Sequence, residues 1–280
     1  MIKLLRGTFL CGLLFTGINM YAQTEILPNA YAHNDYWHKR PLLDALADGF
    51  TYVEADVYLR NNKLIVAHIL PCINKKKTLE TLYLKPLLKY VQEHTDKRTG
   101  ISKCALTLMI DIKSDANKTY SALLPLLLKY RSILSGYENG EMKLRNVTIV
   151  ITGHKPIGMI NNENNRLAFM DEDLRKSPGD STKDVYPIAS CKYSNLVKWK
   201  GKGPISARDI QRLQYYVIEA HKNGSKVRLW ASPEKKAVWG ELLKCNVDLI
   251  NTDRLKSLRK FLMADKLLVA HNNALDVPTN

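Results

Sequence analysis

Eight short apolar runs rich in β-branched residues recur along the chain, at 29–33, 52–59, 106–113, 147–153, 166–171, 188–193, 226–231 and 247–253. Between most of them lie segments with the apolar spacing of a helix, at 41–48, 79–94, 120–134, 206–223, 235–244 and 255–263. Asp48-Gly49 and Asn223-Gly224 supply stop signals just before the strands that follow. Strands that alternate with helices pair in parallel, because each crossover returns the chain to the same end of the sheet. Eight such units in 280 residues predict a single-domain (β/α)8 barrel. An open doubly wound sheet is the alternative, but it calls for a glycine-rich phosphate turn after its first strand, and there is none here. The polar, helix-poor stretch 161–184 reads as a loop excursion around one short strand, and no internal repeat or low-complexity tract interrupts the pattern.

The first 22 residues stand outside the alternation. Lys3 and Arg6 open the chain, an apolar core runs from Leu10 to Ile18, and Met20-Tyr21-Ala22 ends on a small residue. This is the pattern of a signal peptide cut after Ala22, leaving 23–280 as the barrel and placing it in the periplasm or outside the cell. The core is too short for a transmembrane anchor, which needs about 20 apolar residues. Cys11 would leave with the leader; Cys72, Cys104, Cys191 and Cys245 show no CxxC spacing, so a zinc cluster is not expected and the four read mainly as buried free thiols. The net charge of +15 suits a phosphorylated partner. Its basic residues are scattered, however, with Lys75-Lys76-Lys77 the longest run, so nucleic-acid binding is not expected.

Barrels of this kind place chemistry at the C-terminal ends of their strands, and those ends carry a non-random set. Glu54 and Asp56 lie two apart on one strand and so share a face. Two carboxylates that close would be costly unless a cation neutralises them, and a hard divalent ion with oxygen ligands is the economical answer. Asp111 and Lys113 repeat the spacing on the next strand: Asp111 completes a metal site and leaves Lys113 to bind an anionic oxygen. His33 and His68 each close a strand-like run near the carboxylates. Two imidazoles flanking a metal-bound phosphate would serve as general base and general acid, the division of labour that phosphodiester cleavage needs. His94, His154, His221 and His271 read as surface or satisfied core residues, although His154 follows a strand and could face the mouth.

In order along the chain, His33-Asn34, Glu54-Ala55-Asp56, His68 and Asp111-Ile112-Lys113 resemble the phospholipase C-like phosphodiesterase superfamily, which includes glycerophosphodiester phosphodiesterases and phosphatidylinositol phospholipases C. Arg228-Leu229-Trp230-Ala231 and 247–253 look like its last two strands. The resemblance implies His33 and His68 as the catalytic pair, Glu54, Asp56 and Asp111 as magnesium or calcium ligands, and Lys113 and Trp230 in the substrate site. Asn34 and His38, which flank His33, are assigned to the same site. Two departures mark an outlying branch: His33-Asn34-Asp35 stands where the glycerophosphodiesterase pattern has His-Arg-Gly, and Ile69 replaces the acidic residue after the second histidine.

The expected activity is therefore metal-dependent cleavage of a glycerophosphodiester, phospholipid head group or related phosphodiester, by hydrolysis or through a cyclic phosphate. A monomer acting on a small-molecule or lipid substrate is expected. The alternative is a non-catalytic barrel that binds an anionic ligand or cell-surface partner. Glu54 and Asp56 are too close on one strand to flank a glycosidic bond, which disfavours a glycoside hydrolase.

Overall fold

The computed structural model describes residues 24–69, 76–95, 105–176 and 185–275. The leader expected at 1–22, together with Cys72 and Cys104, lies outside the described residues. The strands are β1 (Leu27–Ala32), β2 (Phe50–Arg60), β3 (Lys63–Val66), β4 (Leu106–Ile112), β5 (Gly136–Glu138), β6 (Glu141–Lys143), β7 (Val147–Gly153), β8 (Phe169–Asp173), β9 (Ile188–Lys192), β10 (Lys226–Trp230) and β11 (Ile250–Thr252). Eight of them run parallel in the order β10-β9-β8-β7-β4-β2-β1-β11. A backbone bond from Leu249 N to Val227 O (3.0 Å) joins the two edges, so the sheet closes into the expected (β/α)8 barrel.

The outward-facing residues of the strands meet the helices in one continuous apolar layer, to which Val53, Ala55 and Val57 of β2 belong. Inside the barrel a second, smaller cluster consists of Tyr31, Met109, Val150, Phe169, Ile188 and Leu249, with Tyr52 packed against it. The period of two then dictates what stands above it. Two residues past Tyr52 comes Glu54, and past Met109 comes Asp111. Thr152, Asp171, Ser190 and Asn251 follow Val150, Phe169, Ile188 and Leu249 in the same way. The barrel is thus plugged by an apolar layer and carries a polar layer directly over it, at the C-terminal mouth.

Three elements differ from the sequence expectation. The helix expected at 120–134 begins earlier, at Ala116, because Asp115 caps it by accepting the Lys118 N–H (2.8 Å), and it ends at Lys129. The segment expected as a helix from 79 opens as a π-turn over Glu80–Leu84 before the α-helix Lys85–His94. A small hairpin, β5–β6, fills the connection before β7. Among the described residues no helix is long and apolar enough to cross a membrane.

Candidate active site

Parallel pairing of β2 with β4 sets Asp56 opposite Asp111, and oxygens of Glu54, Asp56 and Asp111 lie within 4.8 Å of one another. Glu54 and Asp56 are each 2% exposed. Burial, together with the charge of Glu54, pushes the Asp111 carboxyl up to about 6. Burial also raises Asp56, against the pull of Lys113. Asp111 Oδ1 is buried and has no hydrogen-bond partner. Three crowded oxygen donors, one of them orphaned, fit a hard divalent cation. Gly153, at the end of β7, makes room for this carboxylate: a Cβ there would stand 2.0 Å from Asp111 Oδ1, and its φ of +70° suits glycine.

Two cations lie against this acidic group. Arg228, 3% exposed, donates from Nη2 to Glu54 (2.7 Å) and from Nε to Asn251 (2.8 Å), and packs over the Tyr31 ring. Lys113 Nζ sits 2.5 Å from Asp111 and 3.4 Å from Asp56, so the lysine expected to be free for an anionic oxygen is already paired. Burial disfavours the ammonium, but the bond to Asp111 outweighs it and raises the Lys113 pKa. Asp111 and Lys113 project to one side of the strand, which makes the pair almost unavoidable.

The histidines arrive from neighbouring strands, His33 from β1 and His68 from β3, which pairs with β2 beside it. His33 follows β1, and its Nδ1 lies 2.6 Å from Asp253, just past β11; its Nε2 lies 3.9 Å from Glu54. Burial lowers the His33 pKa, but the bond to Asp253 and the charge of Glu54 overcome it, so the net shift is upward. His68 is delivered by the β2–β3 hairpin, which turns on Asn61-Asn62, both at positive φ, and is tied down where Ala67 N donates to Asp56 O (3.2 Å). His68 Nδ1 lies 3.3 Å from Asp56 and 3.1 Å from the Tyr36 hydroxyl.

A continuous run of hydrogen bonds links the two rings. Asp253 accepts from both His33 and Asn34 Nδ2 (3.2 Å), and the Tyr36 hydroxyl lies 2.6 Å from Asn34 Oδ1 and 2.8 Å from Asp56. In both histidines Nδ1 is engaged by a carboxylate, which leaves Nε2 as the atom able to take or give a proton. Asn34 is 4% exposed, holds φ +48°, and commits its amide to this chain. A cleft of about 410 Å³ opens over these groups, lined among others by His33, Glu54, Asp111, Lys113, Lys155, Lys192 and Trp230. His68 is not among the residues that line it; its ring stands edge-on to the exposed Trp37. His38 lines a separate cleft with Asp44 and Asp253.

Sequence reasoning missed Tyr36, Asp253, Arg228 and Gly153 as site residues. Arg228 had a visible signal: it alternates with Val227 and Leu229, so it lies on the face opposite to theirs. Of the histidines read as surface residues, His221 pairs with Asp248 (2.7 Å) and His94 stacks on Tyr90. Cys191 and Cys245 are buried free thiols, as expected.

The profile of the AIM6-like phosphodiesterase domain matches residues 22–171 of the chain. An Altered inheritance of mitochondria protein 6 from Eremothecium gossypii is 33% identical over 273 residues, spanning 84% of this chain and 70% of its own length. The chain belongs to the AIM6-like phosphodiesterase domain family. An AIM6 protein from Kluyveromyces lactis is 30% identical over 303 residues, across 84% of this chain and 72% of the relative. In fold, this AIM6-like chain matches a crystal structure of a glycerophosphodiester phosphodiesterase from Parabacteroides distasonis, with a TM-score of 0.53 at 14% identity over 86% of this chain and 99% of that one.

Proposed function

We propose that this protein is a metal-dependent phosphodiesterase in which His33 and His68 divide acid and base catalysis. The observation that carries this reading is the hydrogen-bonded run from Asp253 through Asn34 and Tyr36 to Asp56, which fixes both rings beside one carboxylate cluster. A surface ion pair needs no such ordering, whereas a positioned proton donor and acceptor do.

Glu54, Asp56 and Asp111 would hold the cation, through Asp111 Oδ1 and the oxygens of the other two. Magnesium or calcium bound there supplies charge stabilisation to the phosphoryl oxygens. Lys113 uses one of its three N–H donors on Asp111 and has others for a phosphoryl oxygen. One Nε2 takes the proton of the attacking hydroxyl or water, and the other gives a proton to the departing oxygen. Arg228 keeps the Glu54 carboxylate in place and partly neutralised. The substrate is a small-molecule or lipid phosphodiester, and the chain acts as an exported monomer. The charged start, apolar core and Ala22 support export, and N-terminal sequencing of native protein should begin at Gln23. An intact Met1 on soluble protein would contradict it.

The deciding assay is cleavage of a phosphodiester panel by purified protein with magnesium, calcium or chelator. Cation-dependent turnover is expected. Saturable cation or anion binding with no turnover of any diester would instead make the protein a binding barrel.

A further inference from the structure

The cleft extends beyond the carboxylates and His33 to a second wall built from β9 and β10. There Lys192 and Trp230 are direct neighbours in register, at the last paired position of the two strands. Both are exposed, Trp230 at 40%, and both line the cleft. Lys192 Nζ stands 5.9 Å from the centroid of the Trp230 ring.

The other cations of this cleft are already committed. Lys113 pairs with Asp111, Lys155 with Asp171, Arg175 with Asp173 and Arg228 with Glu54. Lys192 alone among these lining residues has no carboxylate within salt-bridge distance among the described residues. Its charge is therefore not neutralised by a carboxylate of the described residues. An unpaired ammonium beside a flat aromatic ring gives a bound ligand both an apolar surface and a positive charge. It also covers the electron-rich face on which a quaternary or primary ammonium group would otherwise settle.

We propose that Lys192 is a specificity-determining residue, which with Trp230 selects phosphodiesters carrying a second anionic substituent and rejects those carrying an ammonium group. This rests on the phosphodiesterase reading above and deepens it. The diester phosphate occupies the end of the cleft at Lys113 and His33. The organic moiety packs on Trp230, and its carboxylate or phosphate monoester reaches Lys192. The discrimination combines attraction for one ligand with like-charge repulsion of the other.

The test is a matched set of p-nitrophenyl phosphodiesters whose second ester ends in a carboxylate, a phosphate, a hydroxyl or a trimethylammonium group at equal chain length. The readout is the ratio of kcat/KM between anionic and trimethylammonium members, which a general loss of fold or activity leaves unchanged. The wild type should favour the anionic members by about 10- to 100-fold. Lys192→Gln should bring the ratio close to one, and Lys192→Glu should invert it. Comparison of the carboxylate and phosphate arms then identifies which anion the site takes. A ratio that survives Lys192→Gln, or a wild type without preference, overturns the proposal. Should no diester turn over, the catalytic reading has failed, and the proposal is decided by tryptophan fluorescence titration with glycerol phosphate and with choline, using Trp230→Phe to assign the signal. Tighter binding of glycerol phosphate, lost in Lys192→Gln, supports it; equal binding of the two, or no change in Lys192→Gln, refutes it.

Discussion

Replacing Arg228 with methionine tests whether the polar layer of the barrel is held by charge balance. Arg228 and Glu54 are both 3% exposed at the side chain and 2.7 Å apart, so water offers Glu54 almost no substitute for the lost guanidinium. Removing one partner of a buried pair costs about 3–5 kcal/mol, most of it the stranded charge of the other. For a domain of this size that is a fall in Tm of roughly 6–20 °C. The variant should be examined by thermal and urea unfolding, in chelator and in saturating magnesium or calcium. The deficit should shrink with the cation, because a dication held beside Glu54 replaces the missing charge. Arg228→Met combined with Glu54→Gln should be more stable than Arg228→Met alone by about 1–3 kcal/mol, the scale of coupling between contacting residues. Strict additivity of the two single substitutions, or an Arg228→Met protein as stable as wild type, would refute the reasoning.

Gly153→Ala should weaken divalent-ion binding by about 10- to 100-fold in calorimetry, as expected when a ligand's support is displaced, since the added Cβ drives Asp111 from its position. Because the Asp111 carboxyl lies at about 6, cation affinity should drop as pH falls through that value, with protons released on binding below it. Asp35 is fully buried, accepts from Leu42 N and the Tyr83 hydroxyl, and is raised by burial from 3.8 to about 6. A carboxyl with a higher pKa folded than unfolded favours folding while protonated, so its contribution is complete below pH 3.8 and is lost as pH climbs through about 6. Asp35→Asn should therefore flatten the decline in urea stability between pH 4 and pH 7.

The fold was legible because most barrel strands contain a short apolar run, a signal that local chemistry alone produces; β8, Phe169–Asp173, is the exception, with three acidic residues. The carboxylate cluster was legible for a related reason: the period of two put Glu54 beside Asp56, and the shared C-terminal end of parallel strands brought Asp111 to them. His68 was within reach because it closes a short extended run at 63–67, whose antiparallel return along β2 only the structure shows. What could not be read were contacts set by closure of the barrel. Asp253 follows the last barrel strand and meets His33 only because β11 pairs with β1, and Arg228 reaches Glu54 across the interior from a strand that is not its neighbour. The pairing of Lys113 was open to inspection in the spacing itself, since Asp111 and Lys113 share a face. Helix ends were misplaced where a side chain decided them, as at Asp115.

The central claim is that two histidines, held in one hydrogen-bonded run beside three carboxylates, cleave a phosphodiester. It is tested most directly by the cation-dependent turnover of His33→Ala and His68→Ala on whichever diester the wild type accepts. Each should lose about 10²–10⁴-fold in kcat, the usual contribution of a positioned acid or base, while still binding the cation. The double variant should be little worse than either single one, because residues acting as a unit are not additive. His221→Ala, at the opposite end of the barrel, should keep its turnover even if loss of the Asp248 pair lowers its Tm. A leaving group of low pKa should rescue the variant that lost the acid and leave the other impaired. Turnover undiminished in both histidine variants would contradict the account.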